Sequence, residues 1–564
     1  MQAQSGFFIQ FLRLATPFWK SENKIVIRQQ SLALIVLTIF QMMLAVVITT
    51  WSSALFNALE EHSMSGLLKQ IGYLILIFAA SIAVTAMHIK VKRDLQIGWR
   101  AWLTDRVIGK WMTNGRHYLV SHIQTVEHDN PDGRIAEDIR ISIDEAINLC
   151  HSLFYSLLLI ISFTKILWEL SGTIRLDVGL LHLPIYGYLV WAALIYSVLA
   201  SVLGWWAGRP LTLTTHAMQT VEANFRFGLA KVRENSQAIA LIHGEINEQK
   251  RFSHFFQDIT NVFDRQTVAW TSILLFNSGY GVLSMAFPIL IVSPRYIIGS
   301  ITLGALMQSA QAFQQMSGAL SWPINNMAGI AQWRASVERV LDLVKALEDL
   351  ELEIARPDPQ RILLENPLQS TLCFHDLCIS QLDGVVIICG LNAEIRLGER
   401  VLIVGDALTG ARLFKAIAGL WPWGRGRIEL PDSEPMFFMP PRPYLPDDTL
   451  RNAICYPSPS EVFLDISIEN LLKLAGLEHL ISFLDQENTW DNVLTRDQEQ
   501  RLGLVRLLLY RPKWILLQEA FDSLDPDGEA LMLRIICQQL PDAAILTISN
   551  QPTAKAFHNR IINL

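Results

Sequence analysis

The clearest pattern along the chain is a series of long apolar stretches separated by polar segments. Six stretches approach the roughly 20 residues that a helix needs to cross a hydrocarbon core of ~30 Å; they lie near 31–55, 68–88, 150–170, 184–207, 270–293 and 298–322. The last carries small residues and glutamines, which suit either packing inside a helical bundle or the lining of a wet path. Residues 1–345 are therefore predicted to form a membrane domain of six helices.

Positive charges outside these stretches predict the orientation of the helices. The segment after the second stretch is rich in Lys and Arg, whereas the loops after the first, third and fifth carry little more than Lys69, Arg175 and Arg295. Both termini and the long loops 89–149 and 208–269 are therefore expected in the cytoplasm. Because these loops are rich in helix-forming residues, the membrane helices are predicted to continue beyond the bilayer.

The composition supports a membrane protein. Hydrophobic residues make up 51% and charged residues 18% of the 564 residues, and the mean hydropathy is +0.29. A net charge of −7 gives no reason to expect a nucleic-acid partner. The six cysteines show neither metal-ligand spacing nor a paired framework. Free thiols and no metal site are therefore expected.

Charged residues are scarce inside the apolar stretches. Lys165 and Glu169 lie four residues apart near the outer end of the third stretch, so they can pair on one helix face. Such a pair serves either as a proton or substrate relay or as an interfacial pair whose charged ends reach the headgroups. The sequence leaves both interpretations open.

The second half of the chain has an ordinary globular composition, with a predicted linker at 346–370 and a domain at 371–564. Its most informative segment is a buried strand, 401–404, followed by a loop framed by two glycines and then a helix. The spacing matches the phosphate-binding P-loop, G-x-x-x-x-G-K-[ST]; the loop residues are Gly405, Asp406, Ala407, Leu408, Thr409 and Gly410. Ala411 replaces the lysine and Arg412 replaces the Ser/Thr that binds Mg²⁺. The loop is therefore a degenerate Walker A motif.

Several motifs, in order along the chain, resemble ABC transporters of the peroxisomal fatty-acyl (subfamily D) type and their bacterial SbmA/BacA-like relatives. The first is Asn-Pro-Asp-Gly-Arg-Ile-Ala-Glu-Asp-Ile; the motifs lie at 130–139, 222–226, 301–307, 333–335, 416–426, 444–446 and 511–514. The resemblance implies an ABC exporter-like domain of six transmembrane helices followed by an α/β P-loop-type ATP-binding cassette. In this family, ATP and Mg²⁺ are held between two cassettes that face head to tail.

The resemblance also assigns the remaining catalytic positions. Gln518 stands where an aspartate orients Mg²⁺, and a neutral amide is a poor ligand for a hard cation. Pro441 replaces the glutamine that bridges metal and water, and Asn550 replaces the switch histidine. Glu519 matches the general base, which makes it the one catalytic residue that remains and a vestigial one. ATP and Mg²⁺ are thus implied by ancestry alone.

The signature loop of the family corresponds to Leu494, Thr495, Arg496, Asp497 and Gln498. Asp497 stands where a glycine presents its backbone N–H to the γ-phosphate, and its carboxylate repels a phosphate unless Arg496 screens it. The chain therefore supplies neither half of a composite ATP site, and a competent partner does not readily restore hydrolysis. Three interpretations of the cassette remain open: it only maintains a dimer surface, it binds nucleotide weakly without turnover, or it is a true ATPase.

Six helices and one cassette make half a transporter, so the expected assembly is a homodimer, or a heterodimer with a second half-transporter, in the bilayer. The sequence favours a multi-pass protein of the bacterial inner membrane that moves a small molecule, peptide, vitamin or lipid-like solute, with impaired or absent ATP hydrolysis. Two alternatives remain: a proton-driven SbmA/BacA-like importer that works without ATP, and a regulatory or scaffold protein that transports nothing.

Overall fold

The computed structural model describes residues 6–123, 131–178, 181–355, 361–367, 370–431 and 436–564. The chain folds as two compact units. The membrane unit comprises Met1–Trp111 and His128–Ala346, and the cassette unit comprises Met112–Glu127 and Leu347–Leu564. A short segment of the first half of the sequence therefore belongs to the second unit.

The first 355 residues are almost entirely helical. The helices are α1 Phe7–Ala15, α2 Lys24–Glu60, α3 Met64–Met112, α4 Arg116–Ile123, α5 Pro131–Gly133, α6 Ile139–Ser171, α7 Tyr188–Glu234, α8 Ser236–Leu241, α9 Glu245–Ile297, α10 Leu303–Leu320, α11 Trp322–Asn325 and α12 Met327–Ala355. A π-helical turn, Arg134–Asp138, leads into α6. The longest, α9, has 53 residues, about 80 Å at ~1.5 Å per residue, against a hydrocarbon core of ~30 Å. The helices thus extend well beyond the length that a bilayer requires.

Within the described residues, the five helices α2, α3, α6, α7 and α9 are long and apolar enough to cross a membrane. The sixth predicted span, 298–322, corresponds to α10, which is shorter and more polar. It packs against α2, α6, α7 and α9, and the Nε2 atom of Gln311 donates a 2.8 Å hydrogen bond to Ser52 Oγ on α2. Of the two interpretations of the small and polar residues of α10, this contact favours packing inside the bundle.

The predicted start of the fourth helix at residue 184 is wrong. Residues before it form an antiparallel hairpin of β1, Thr173–Val178, and β2, Leu181–Tyr186, and α7 begins at Tyr188. The sequence carries a reason for the difference. Apolar residues alternate at 181, 183 and 185 as in a strand, and Pro184 is unfavourable inside a helix.

The cassette unit combines two main sheets with flanking helices. Its remaining helices are α13 Ala407–Ile417, α14 Leu450–Cys455, α15 Asp465–Leu474, α16 Trp490–Val493, α17 Arg496–Tyr510 and α18 Pro526–Gln539. Its strands are β3 Leu363–Glu365, β4 Thr371–Ser380, β5 Val386–Arg396, β6 Arg400–Val404, β7 Gly424–Glu429, β8 Met436–Met439, β9 Asp448–Thr449, β10 Glu487–Asn488, β11 Trp514–Gln518, β12 Ala544–Ile548 and β13 Arg560–Asn563. The end of α12 and all of β3 fall within 346–370, the predicted linker.

The larger sheet has the strand order β13-β6-β12-β11-β8, and each neighbouring pair is parallel. Its strands read as continuous apolar runs because both faces are covered by buried side chains. The carboxyl ends of parallel strands meet at one edge, where open α/β sheets bind their ligands. The predicted nucleotide-site residues of the loops after these strands lie at this edge.

The second sheet has the order β3-β7-β4-β5, with β4 antiparallel to both β5 and β7. Cys378 on β4 and Cys389 on β5 form a disulfide. The expectation of unpaired thiols is therefore wrong for these two residues. Antiparallel neighbours bring side chains together that lie far apart in the sequence, and the spacing of the cysteines does not reveal this.

Helix α4 packs within the cassette unit, beside α13. Its Leu119 and Val120 are buried, and the Lys415 ammonium of α13 lies 5.4 Å from the centre of the Tyr118 ring. Just before α4, Gly115 approaches Leu420 so closely that a Cβ would lie 2.6 Å from Leu420 Cδ2. The segment that follows α3 therefore contacts the helix that begins at the glycine-framed loop.

Candidate functional site

Four loops meet at the carboxyl edge of the parallel sheet. They follow β6, β8, β11 and β12, whose mutual register is continuous across the sheet. Gly405, Pro441, Glu519 and Asn550 lie in these four loops. The structure thus brings together residues from four separate parts of the sequence that were assigned to one site.

The predicted order of strand, loop and helix is present, but the loop is shorter than the two glycines indicate, because α13 already begins at Ala407. Asp406 is the N-cap of α13, and its carboxylate accepts hydrogen bonds from Thr409 N at 3.1 Å and Thr409 Oγ1 at 3.2 Å. The Gly410 N–H donates to Asp406 O at 2.9 Å. A P-loop offers its backbone N–H groups to phosphates, whereas these two N–H groups bond to Asp406.

The two glycines that frame the loop are fixed by packing. A Cβ at Gly405 would lie 2.8 Å from Leu564 Cβ, and a Cβ at Gly410 would lie 2.5 Å from Ile548 Cγ2. Both distances are below the separation of non-bonded carbon atoms. A side chain at either position would therefore have to displace a neighbouring side chain, independently of any ligand.

Ala411 and Arg412 occupy the lysine and Ser/Thr positions of the motif. Ala411 is half-buried on α13 and presents a methyl group. The Arg412 guanidinium lies 5.4 Å from the centre of the Trp421 ring, a distance suited to a cation–π interaction. The indole N–H of Trp421 donates to Ser380 O at 3.0 Å. The arginine is thus held by contacts inside the cassette.

Asn550 bonds to the start of the same loop. Its Oδ1 atom accepts a hydrogen bond from Gly405 N at 3.3 Å, and its Nδ2 atom donates to Gly405 O at 2.8 Å. The amide thereby satisfies both backbone groups of Gly405. Asn550, at the predicted switch-histidine position, therefore links the end of β12 to the loop through two hydrogen bonds.

Glu519 follows Gln518 at the end of β11. Gln518 is buried, and Glu519 is half-buried with a φ of 43°, a strained value for a residue with a side chain. The Glu519 N–H donates to Ile548 O at 2.9 Å. Burial, and then the negative charge of Asp522, raise the pKa of Glu519. Both effects favour the protonated form of this carboxyl group.

Gln500 on α17 connects two of these loops, and the sequence analysis missed it. Its side chain is fully buried, and its Nε2 atom donates to Pro441 O at 3.0 Å and to an Asp522 carboxylate oxygen. Its Oε1 atom accepts from Ser523 N at 3.1 Å. A polar residue two positions beyond the signature loop was the available signal.

The signature loop forms the start of α17. Thr495 is the N-cap, and Thr495 and Gln498 exchange the two hydrogen bonds of a capping box. Asp497 Oδ1 accepts from Arg501 Nε at 2.9 Å, so Arg501 is the partner of this carboxylate, where the sequence suggested Arg496. Leu494 is buried, whereas Arg496 is exposed.

In the membrane unit, Lys165 and Glu169 are both exposed on α6. The buried polar groups lie elsewhere: the rings of His88 and His151 have centroids 4.3 Å apart. His88 also lines a cavity of about 590 Å³ between α3 and α6, with Lys92, Arg93, Gln96, Asp144 and Glu145 among the other lining residues. The histidines are far apart in the sequence, so only the packing of α3 against α6 reveals the pair.

The motif at 130–139 begins outside the described residues, at Asn130. Its Asp138 is buried and accepts hydrogen bonds from Arg339 on α12, at 2.7 Å from Nε and 2.5 Å from a terminal nitrogen. A buried carboxylate needs such a partner, because an unpaired buried charge is strongly destabilising. This part of the motif therefore joins α12 to the start of α6.

Comparison with known proteins agrees with this architecture. Residues 12–296, just over half of the chain, match the family described as ABC transporter transmembrane region 2. The inner membrane ABC transporter ATP-binding protein YddA of Escherichia coli is 27% identical over 550 residues, which cover 96% of this chain and 95% of that protein. The lysosomal cobalamin transporter ABCD4 of Homo sapiens is 23% identical over 595 residues, covering 99% and 94%.

A solved structure of a bacterial Atm1-family ABC exporter with ATP bound has the same fold. The TM-score is 0.70 with 16% identity, and the likeness covers 96% of this chain and 94% of that one. It extends through both the helical region and the α/β region. The chain therefore belongs to the family of ABC transporters with transmembrane region 2 and, with one such region and one nucleotide-binding domain, is a half-subunit of a membrane transporter.

Proposed function

We propose that this chain is one half of a dimeric transporter of the bacterial inner membrane that moves a solute while its own cassette hydrolyses ATP poorly or not at all. The observation that carries the proposal is the cap of α13. The Asp406 carboxylate bonds the Thr409 N–H, and in a working P-loop such N–H groups hold phosphates. A nucleotide has to displace an internal anion to reach that position.

Electrostatics adds to this argument. A triphosphate needs cations and an Mg²⁺ site, but Ala411 brings no charge, and Arg412 lies against Trp421. Gln518 offers a neutral amide where a hard cation prefers a carboxylate. The retained Glu519 is a base without the groups that position its substrate. These four features together favour a cassette that keeps its fold and has lost its turnover.

The membrane unit supports transport as the retained activity. The mixed-charge cavity beside His88 suits a solute with polar groups, and the human relative is named a cobalamin transporter. We therefore place the solute among peptides, vitamins and other small polar or lipid-like molecules.

The test is ATP hydrolysis by the purified full-length protein in lipid nanodiscs. The expected rate equals that of the Glu519→Gln variant, because no turnover depends on the general base. A rate that is measurable in the wild type and falls in E519Q contradicts the proposal. Uptake of labelled peptide or vitamin into cells then separates a transporter from a scaffold, since a scaffold moves no solute. Uptake that survives ATP depletion and stops with an uncoupler identifies the proton gradient as the energy source.

A further inference from the structure

Three metal-ligating side chains meet on the antiparallel sheet of the cassette unit, away from the four loops of the nucleotide edge. Cys373 and His375 are two residues apart on β4, so their side chains share one face of the sheet. Their neighbours Leu372 and Phe374 are buried in the core. Glu429 on β7 lies directly opposite Cys373 in the register. The sequence analysis missed this cluster because the sheet, and not the spacing, brings Glu429 to the other two residues.

The donor atoms are close enough to share one ion. His375 Nε2 is 3.2 Å from Glu429 Oε1, and the sulfur, nitrogen and oxygen donors all lie within 4.8 Å of one another. Zinc binds nitrogen, oxygen and sulfur at ~2.0–2.3 Å, which puts two ligands of a tetrahedral site about 3.4–3.8 Å apart. The His375–Glu429 distance is already near this value, and the Cys373 sulfur lies within 4.8 Å of both other donor atoms.

The chemistry of the donors selects the class of metal. Cys373 has a free thiol, unlike Cys378 and Cys389, and its residue is 8% exposed. A thiolate, an imidazole and a carboxylate together suit zinc and chemically similar transition metals, whereas calcium and magnesium prefer oxygen alone. Three protein ligands leave a fourth tetrahedral position for water.

The surrounding charges favour a cation but include one competitor. Glu365 on β3 and Glu394 on β5 lie opposite Glu429 and Cys373 in the register. The Arg427 guanidinium is 3.2 Å from Glu429 Oε1 and 3.4 Å from Glu365 Oε2. A metal ion that binds Glu429 therefore displaces one of the two contacts of Arg427, which keeps its contact with Glu365.

We propose that Cys373, His375 and Glu429 form a binding site for a zinc-class transition metal that joins β4 to β7 in the cassette. Because the ligands converge only in the folded sheet, the ion binds the folded state in preference to the unfolded one. It stabilises the antiparallel sheet and leaves the ATP-site residues untouched.

The test uses Co²⁺ as a spectroscopic substitute for zinc, with the metal-stripped, full-length protein in detergent and the Cys378–Cys389 disulfide kept intact. Titration is expected to give the near-ultraviolet charge-transfer band of a thiolate–cobalt bond, and added Zn²⁺ is expected to remove it. Cys373→Ser abolishes the band, and His375→Ala and Glu429→Gln each lower the affinity at least about tenfold, the size of effect known even for residues that support metal ligands. Arg427→Gln raises the affinity, because the competing cation is gone.

Two variants serve as matched controls, Cys537→Ser for the thiol and the exposed His254→Ala for the imidazole; both keep the wild-type band and affinity. A wild-type protein without the charge-transfer band overturns the proposal, as does a band that persists in C373S. Weaker binding in R427Q contradicts an ion placed between His375 and Glu429. The His375 side chain is exposed and that of Glu429 is partly exposed, so H375A and E429Q report on the site even where C373S folds poorly. None of these readouts depends on transport or ATP hydrolysis.

Discussion

The two helix N-termini that hold phosphates in an ATP-binding cassette are both capped here, but in different ways. At α13 the cap is a carboxylate, Asp406, which accepts hydrogen bonds from the N–H and the hydroxyl of Thr409. At α17 the cap is neutral, because Thr495 and Gln498 bond each other's backbone, and the charge of Asp497 is directed to Arg501. The α13 end is thus closed to an anion by charge and by hydrogen bonding, whereas the α17 end carries a carboxylate in its first turn that already has a partner.

The largest expected effect comes from Gly410, near the start of α13, and tests whether packing against Ile548 excludes a larger residue there. Gly410→Val places carbon atoms inside the contact distance of Ile548, and overpacking of this kind costs about 3 kcal/mol of the free energy of unfolding. Ala407→Val is the control, because it lies exposed on the same helix and costs about 0.5 kcal/mol. Chemical denaturation of the full-length protein, followed by Trp fluorescence, measures both. Equal losses in the two variants would contradict the packing argument.

The next effect concerns the link between the α17 end and the nucleotide edge. Gln500→Leu removes the three hydrogen bonds of a fully buried amide, one of them to the Asp522 carboxylate, which costs about 2 kcal/mol. Gln498→Leu, which removes the capping box and the exposed contact of Gln498 with His479, is expected to cost about 1 kcal/mol. The same denaturation experiment compares them. If Q498L is the more damaging change, the connection through Gln500 is not the main support of this edge.

Charge and capping can be separated at the α13 end. Asp406→Ala loses the cap and costs about 1 kcal/mol, as Thr495→Ala does at α17, whereas Asp406→Asn keeps the cap. The pair Asp406→Asn with Ala411→Lys removes the internal anion and restores the phosphate-binding cation. We expect this double variant to bind a fluorescent ATP analogue more tightly than the wild type, by an equilibrium titration. T495A combined with A411K is the control. Equal affinity of the two double variants for the ATP analogue would mean that Asp406 does not obstruct nucleotide binding.

A smaller effect is expected from the charge at the α17 end. Asp497→Ala breaks a partly exposed pair with Arg501, and such pairs contribute about 0.5 kcal/mol. The loss is expected to shrink in high salt, since salt screens exposed charges. Denaturation at low and high ionic strength measures the difference. A loss that does not change with salt would indicate that packing, and not charge, holds Asp497.

The smallest effect depends on pH. Burial and Asp522 raise the pKa of Glu519, so its ionised form is disfavoured in the folded state. Wild-type stability relative to Glu519→Gln therefore falls as the pH rises through the titration range of Glu519, and the two proteins converge at acidic pH, where the carboxyl is protonated. Unfolding curves at several pH values measure this. The opposite trend would mean that the carboxylate is stabilised at this position.

Much of this site follows from the order of apolar runs and glycines. Strand 401–404, the loop at 405 and the strand that ends at Gln518 are legible because both faces of a parallel sheet are apolar. The early start of α13 was missed, although an aspartate before a run of helix-forming residues is an N-cap signal. The prediction followed the P-loop motif, in which the helix comes after the second glycine, and did not use that local signal. In the structure, the helix begins directly after its N-cap aspartate.

Other features were beyond the sequence because they depend on neighbours that only folding supplies. The Gln500 hydrogen bonds and the His88–His151 pair join elements distant along the chain, and the Arg412–Trp421 contact depends on how the chain turns after α13. The hairpin before α7 had a local signal in Pro184, but the surrounding apolar residues hid it. A single sequence therefore gives the strand and helix order more reliably than the partners of individual polar side chains.

The membership of residues 112–127 in the cassette unit has a consequence for how this gene can be divided. The cassette is discontinuous: one piece of it is encoded between two membrane helices, some two hundred codons before the rest. A protein produced from residue 347 onward lacks α4, and the side chains of Leu420 and Lys415 lose the surface that they contact. Fission into separate permease and cassette genes at residue 347 would here separate α4 from the helix α13 that it contacts.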